Sequence, residues 1–496
     1  MATASGYSRT VRLWRHGADP LAAGVICAAG PDSMAMWGSV DRDHPARQLV
    51  FTEQLDFIRS EIWTGDAGGK QRRIDLPQDC WRIWSRDWLA VRPRTDWTVG
   101  GITHKAGTLL GIGLAAFLAG DRGFRVLFTP GARRSIQGFF FTQERLILQV
   151  LDDLRPVSLV VTPAEDWAQA PLAGLPALGT VSVWRLDEAE EESDGTLLAL
   201  TQDPLTPPTL LLTRADLDAP AVLKRAPQAF DPSGLTVSRH EALSADGTPI
   251  PYVQVGPPGA TGEAPVHLYG YGGFEVSELP YYRAGVGKLW LERGGTGVVA
   301  TLRGGGEFGP DWHEAGRREG KARSHDDFAA VATDLVRRGV TRPGRIAAEG
   351  GSNGGILITN MFVRYPDLFG ALFCTIPLVD MRRYTKLLAG ASWVAEYGDP
   401  EEPADWDFLQ HISAYHTAVP GRAAPPILLA TTRRDDRVHP GHARKMAAKL
   451  QALGYDAAFF ELASGGHGYG KDNRQRALFT ALGYAFLRQA IGWEAG

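Results

Sequence analysis

Three cysteines in 496 residues, Cys27, Cys80 and Cys374, are too few and too scattered for a disulfide framework. No CxxC pair or HExxH helix marks a metal site, so no metal or cofactor is expected. Long apolar runs are missing too. The longest, GTLLGIGLAAFLAG at 107–120, has 14 residues, short of the roughly 17–25 that a membrane-spanning helix needs. Its glycines read as a strand, a turn and a second strand. MATASGYSRTVRLWRHG at the N-terminus lacks the apolar core of a signal peptide. Neither charge sign dominates: 52 Lys and Arg face 56 Asp and Glu, a net charge of −4. That balance argues against a broad electrostatic footprint for nucleic acid or an anionic membrane. The expectation is a cytoplasmic protein without nucleic-acid or membrane partners.

What is present changes character near residue 230. Before it, short apolar runs recur with turn residues between them, at 48–51, 124–128, 135–141, 146–150, 157–161, 181–186, 197–200 and 210–213. Many short strands at such spacing predict an all-β sandwich, barrel or propeller. The acidic cluster Asp187, Glu188, Glu190, Glu191, Glu192 and Asp194 reads as a solvated loop. FDPSG at 230–234 reads as the hinge into the second half.

From about residue 264 strands and helices alternate, the pattern of a doubly wound, mostly parallel α/β sheet. Strands are expected at 266–269, 297–301, 345–349, 371–376, 427–431 and 457–462, with helices at 326–338, 355–365, 441–453 and 474–491. Ser324 and Asp327 read as a capping box for the first of these helices. Catalytic groups on such a sheet belong at the C-terminal ends of the strands.

Gly350-Gly351-Ser352-Asn353-Gly354 fits G-x-S-x-G between a predicted strand and a predicted helix, the context of a nucleophile elbow. A serine of ordinary acidity needs a base, and the base needs an orienting carboxylate. The chain order Ser, then Asp, then His selects Asp435 after strand 427–431 and His467 after strand 457–462. Glycines on both sides of His467 let the imidazole swing towards a neighbouring loop. Donors for a developing oxyanion are the Asn353 N–H and a group from YGYGGF at 269–274, either backbone or a tyrosine hydroxyl. GGGEFG at 304–309 mimics a dinucleotide motif, but Pro310-Asp311-Trp312 follows it and no helix is expected to open there. The remaining histidines of this half are assigned to structure or solvent.

YGYGGF (269–274), LRGGGEFGPDWHEAG (302–316), GGSNGG (350–355), YPDLFG (365–370), SWVAEYGDP (392–400), DDRVHP (435–440) and GGHGYGK (465–471) together resemble the prolyl oligopeptidase family of serine peptidases. The resemblance covers roughly residues 230–496. It implies an α/β-hydrolase domain capped by a seven-bladed β-propeller, and hydrolysis of short peptides, on the carboxyl side of proline, through an acyl-enzyme. By that resemblance Ser352 is nucleophile, His467 general base and acid, and Asp435 the orienting acid. The Tyr271 hydroxyl and Asn353 N–H form the oxyanion hole. Arg437 holds a peptide carbonyl, while Phe274, Trp393, Tyr397 and Val438 line the pocket, the Trp393 indole stacking on a proline ring. Ordinary core packing is the alternative for Trp393. Leu378 stands where the family often has a smaller branched side chain.

The expected division is a partial propeller over 1–228 and a catalytic domain over 229–496. At about 40–50 residues per blade, the first part makes four or five blades rather than seven, as though some 200 residues were absent from its front. A shortened propeller should leave an open sector, with Phe139–Phe141 and Trp184 exposed and self-association through that edge. The open alternatives are an esterase or acylaminoacyl-type hydrolase with the same triad, and an inactive fragment or binding module.

Overall fold

A computed structural model describes all residues except 1, 4–5, 42–47, 143–144, 188–192, 218, 260 and 494–496. Residues Glu188, Glu190, Glu191 and Glu192 of the acidic cluster therefore lie outside the described residues.

Four four-stranded antiparallel sheets follow one another along the first half, each with its strands side by side in chain order. They run from Ala35–Val40 to Gly69–Arg73, from Cys80–Trp84 to Arg125–Phe128, from Arg134–Thr142 to Ala168–Pro171, and from Thr180–Arg185 to Ala221–Arg225. Strands Thr10–Leu13 and Gly24–Ala28 form a smaller pair ahead of them. The second, third and fourth sheets pack face to face as propeller blades do. Ala90, Leu109 and Phe128 of the second meet Phe139, Phe141 and Leu148 of the third. Ile147 and Val160 of the third meet Val183, Leu197 and Leu211 of the fourth. Strand Arg145–Asp152 is covered on both sides, so Leu146, Ile147 and Leu148 are all buried and its apolar run is continuous rather than alternating.

The structure corrects two expectations in this half. Phe139 and Phe141 are each 3% exposed, because the second sheet covers them. Trp184 alone behaves as expected: it points away from the third sheet and is 39% exposed, opposite Leu198, which is in turn opposite Leu212. The run at 107–120 is one strand, Leu109–Gly113, followed by a short helix, Leu114–Leu118, rather than two strands. Gly113 stays extended at the junction, and the Leu-Ala-Ala-Phe-Leu that follows consists mostly of good helix formers that bury Phe117.

The second half is built on one eight-stranded sheet. Its strands are β1 (Thr236–Leu243), β2 (Pro249–Gly256), β3 (Val266–Tyr269), β4 (Thr296–Ala300), β5 (Ile346–Gly351), β6 (Ala371–Thr375), β7 (Ile427–Thr432) and β8 (Ala457–Leu462). They lie in the order β1-β2-β4-β3-β5-β6-β7-β8; β1 to β2 and β2 to β4 are antiparallel and all other pairs parallel. Helices α1 (Lys321–Arg337), α2 (Asn353–Arg364) and α3 (Gly441–Ala452) cover one face through Phe328, Leu335, Leu357, Met361, Met446 and Leu450. Helix α4 (Asn473–Ala490) covers the other through Tyr484 and Leu487, beside Trp290 and Phe373. This is the expected α/β-hydrolase layering, with an N-terminal propeller-like domain.

Two local readings change here. Helix α1 begins at Lys321, so Ser324 and Asp327 lie inside it and cap nothing. Ser324 Oγ donates to the Arg303 carbonyl at 2.6 Å, and fully buried Asp327 pairs with the Arg303 guanidinium at 2.6 Å. Tertiary partners bury polar residues in the first turns, which hides that part of the helix from an apolar-periodicity search. A short helix, Pro310–Ala315, does open after GGGEFG, with Pro310 in its first turn; proline is favoured there because that N–H has no helical partner. Phe230 anchors the head of the FDPSG junction. It is 3% exposed and stacks on Tyr282 with ring centroids 5.1 Å apart.

Candidate active site

Ser352 sits between β5 and α2 with φ 58° and ψ −115°, a conformation a side-chain-bearing residue holds only when its surroundings impose it. The surroundings are glycines that nothing larger can replace. A Cβ on Gly351 would lie 2.3 Å from Thr375 Oγ1, one on Gly350 2.7 Å from the Gly354 carbonyl, and one on Gly355 2.4 Å from Pro377. The Ser352 N–H donates to the Thr375 carbonyl at 3.0 Å and locks the turn to β6.

The three residues singled out by chain order converge. Ser352 Oγ lies 3.0 Å from His467 Nε2, and His467 Nδ1 lies 2.8 and 3.0 Å from the two Asp435 oxygens. Asp435, 4% exposed, follows β7 and also accepts the N–H groups of Arg437 and Val438, each at 2.9 Å. The loop after β8 aims His467: its N–H donates to Asp436 Oδ1 at 3.3 Å, and the Gly466 carbonyl accepts Thr432 Oγ1 at 2.9 Å. A hydroxyl, an imidazole and a carboxylate in this order form the arrangement that acyl transfer uses.

Tyr271 lies on the loop after β3. Burial pushes its phenol above the ordinary range and the Glu396 charge adds to this; Arg437 and a hydrogen bond with Ser352 pull the other way. The phenol therefore stays protonated and able to donate. Asn353 opens α2, and its side chain ties the two loops together: Nδ2 donates to the Tyr271 carbonyl at 2.6 Å and Oδ1 accepts the Tyr397 hydroxyl at 2.7 Å.

Phe274, Trp393, Tyr397 and Val438 fall in one apolar cluster with Leu378 and Tyr384. The Phe274 ring meets Tyr397 edge to face at 5.6 Å, and Trp393 lies parallel to Tyr384 at 6.5 Å. Trp393 is 7% exposed. Arg437 lies exposed on the loop after β7. Sequence reasoning missed the polar layer behind this cluster, namely Glu396, Lys321 and His313. An acid inside the aromatic run SWVAEYGDP was the available signal. His442, read as structural, accepts the Asp380 N–H at 3.1 Å, and burial holds its imidazole down at about 4.

Among the described residues, no group of three or more His, Cys, Asp or Glu is arranged to hold a metal ion. No helix among them is long and apolar enough to cross a membrane.

Residues 283–494 match the profile of the prolyl oligopeptidase family of peptidases. An uncharacterised peptidase of Sinorhizobium fredii is 35% identical over 505 residues, 99% of this chain and 68% of the relative. The prolyl endopeptidase of Elizabethkingia miricola is 32% identical over 325 residues, 64% of this chain and 45% of that enzyme. The solved structure of a post-proline cleaving enzyme from Rickettsia typhi superposes with a TM-score of 0.89 at 27% identity, covering 99% of this chain and 72% of that one.

Proposed function

The chain belongs to the prolyl oligopeptidase family of serine peptidases, and on that premise we propose that it hydrolyses short peptides on the carboxyl side of proline through an acyl-enzyme on Ser352. Residues 1–228 are its partial propeller domain and 229–496 its catalytic domain. The observation that carries the reading is the Ser352–His467–Asp435 chain, at 3.0 and 2.8 Å, beside a buried aromatic cluster.

His467 Nε2 takes the Ser352 proton as Oγ attacks the scissile carbonyl. Asp435 fixes the imidazole tautomer and stabilises the imidazolium that forms. The Asn353 N–H and the Tyr271 hydroxyl receive the developing oxyanion. His467 then returns the proton to the leaving amine, and water repeats the sequence on the acyl-enzyme. Arg437 holds a substrate carbonyl upstream of the scissile residue. Phe274, Trp393, Tyr397 and Val438 enclose the proline ring, and stacking on Trp393 contributes about 0.5–1.5 kcal/mol beyond area burial.

Chromogenic peptides ending in Pro, Ala, Arg and Phe test the reading. Proline should be preferred, and Trp393→Ala should cost about 3 kcal/mol in kcat/KM for the prolyl peptide. A preference for Arg would overturn the proline pocket.

A further inference from the structure

Behind the loop that carries Tyr271 runs a line of charges that crosses from the propeller into the hydrolase sheet. Glu275 and Phe274, next to each other on that loop, both have left-handed backbone, with φ 56° and 57°. Glu275 accepts Arg92 Nη2 at 3.0 Å and is also paired with Arg94. Arg92 is the penultimate residue of the second strand of the second blade, Trp88–Pro93, and Arg94 follows that strand directly. Arg94 reaches His313 Nδ1 as well. His313 Nε2 lies 2.7 Å from Glu396 Oε2, while Glu396 Oε1 accepts Lys321 Nζ at 2.9 Å and the Phe274 N–H at 3.1 Å. Lys321 donates again to the Gly272 carbonyl at 2.9 Å. His313, Lys321 and Glu396 are at most 3% exposed.

Two main-chain atoms of the oxyanion loop, the Gly272 carbonyl and the Phe274 N–H, therefore end on this network, one and three residues past Tyr271. A left-handed Phe-Glu pair has no local preference for its conformation, so tertiary contacts hold it: this network, together with the Glu275 N–H donating to the Gly304 carbonyl at 3.1 Å and the Phe274 ring packed on Phe57 and Tyr397.

We propose that Arg92, Arg94 and Glu275 are positioning residues through which the seating of the propeller sets the oxyanion loop. The blade's arginines hold Glu275 and His313, these hold Glu396 and the Gly272–Phe274 turn, and the turn places the Tyr271 hydroxyl and the Phe274 ring. The inference rests on the Ser352 chemistry above for its kinetic readout. A displacement of roughly 1 Å at a catalytic group costs about a hundredfold in rate, so a loosened loop shows in kcat.

Arg94→Met, Glu275→Gln and the conservative Glu275→Asp test this, with Arg239→Met as control. Arg239 pairs with Asp153 across the same two domains but touches no residue of the network. For each variant kcat, KM, the rate of Ser352 phosphonylation by a fluorophosphonate, and amide exchange over residues 270–276 are measured. Arg94→Met and Glu275→Gln should lower kcat and the phosphonylation rate about ten- to a hundredfold, leave KM within about threefold, and speed exchange over 270–276. Glu275→Asp should recover part of each loss, and Arg239→Met should match the wild type. Should Glu275→Gln fail to fold, Arg94→Lys, which keeps the charge but not the two-pronged fork, reads the same loop exchange. Wild-type exchange over 270–276 in Arg94→Met, or equal losses in Arg239→Met, would overturn the proposal. A wild type that is phosphonylated but spares prolyl peptides refutes only the proline reading. The exchange data decide the positioning proposal even where the serine is inert.

Discussion

Tyr397 donates its hydroxyl to Asn353 Oδ1 at 2.7 Å, so a ring of the buried aromatic cluster clamps the residue that follows the proposed nucleophile. Burial, with the neighbouring Glu396 charge, pushes the phenol well above its ordinary range and keeps it a donor. Tyr397→Phe strands a buried amide oxygen, a loss of about 1–3 kcal/mol. The expected result is a lower unfolding temperature together with a fall in kcat of about tenfold. A destabilised variant with wild-type kcat would separate the ring from the oxyanion donors.

Ser352→Ala should abolish hydrolysis and fluorophosphonate labelling while leaving the circular dichroism unchanged. Loss of a triad member typically costs about 10⁴–10⁶-fold. Retention of even about a tenth of the activity would mean that the triad is misassigned.

Tyr271→Phe removes one proposed oxyanion donor and should lower kcat by about 10²–10³. Because the buried phenol is raised above its ordinary value of 10.0, the protonated donor persists into the alkaline range. The wild-type pH–rate profile should therefore show no loss of kcat with an apparent pKa at or below that ordinary value. Such a limb, absent from Tyr271→Phe, would contradict the assignment.

Glu307, 1% exposed, accepts the Glu278 N–H at 2.7 Å and offers its main-chain carbonyl to Ser135 Oγ of the third blade at 2.7 Å. Burial pushes its carboxyl up to about 8; backbone N–H groups offset part of this, and the Glu278 charge adds to it. The folded state thus keeps a proton that the unfolded chain releases near the ordinary value of 4.5. Stability is full below that value and is lost as pH rises from there to about 8, with a slope of up to about 1.4 kcal/mol per pH unit. Glu307→Gln carries no titrating group at this position and should reduce the slope, leaving the part supplied by Glu278, which burial pushes up to about 7. Urea unfolding at pH about 5 and about 8.5 measures it; identical slopes in the two proteins would clear Glu307.

The outer face of the fourth blade presents Trp184 at 39% exposure, with Leu186 at 48% beside it. Apolar sheet faces of this kind promote association. Light scattering on a sizing column should show dimers or larger species that Trp184→Glu shifts towards monomer. A wild-type monomer at every concentration would end this expectation.

The chain order of Ser352, Asp435 and His467 could be read directly because each follows a strand of a parallel sheet, where strand ends share one edge. The glycines at 350, 351 and 355 were equally legible, since steric crowding at a tight turn leaves no other residue. The start of α1 was not: its first turns carry Lys321 and Ser324, buried for the sake of Glu396 and Arg303. No periodicity announces a polar residue whose partner lies elsewhere. Arg94 and His313 are 219 positions apart, and Arg92 and Glu275 are 183 apart. The sequence by itself determined the two-part architecture and the order of Ser352, Asp435 and His467, because alternation of strands and turn glycines are local properties. Only the tertiary structure decided how the propeller's arginines reach the loop that carries Tyr271, because a buried charge is tolerable only where the fold brings it a partner.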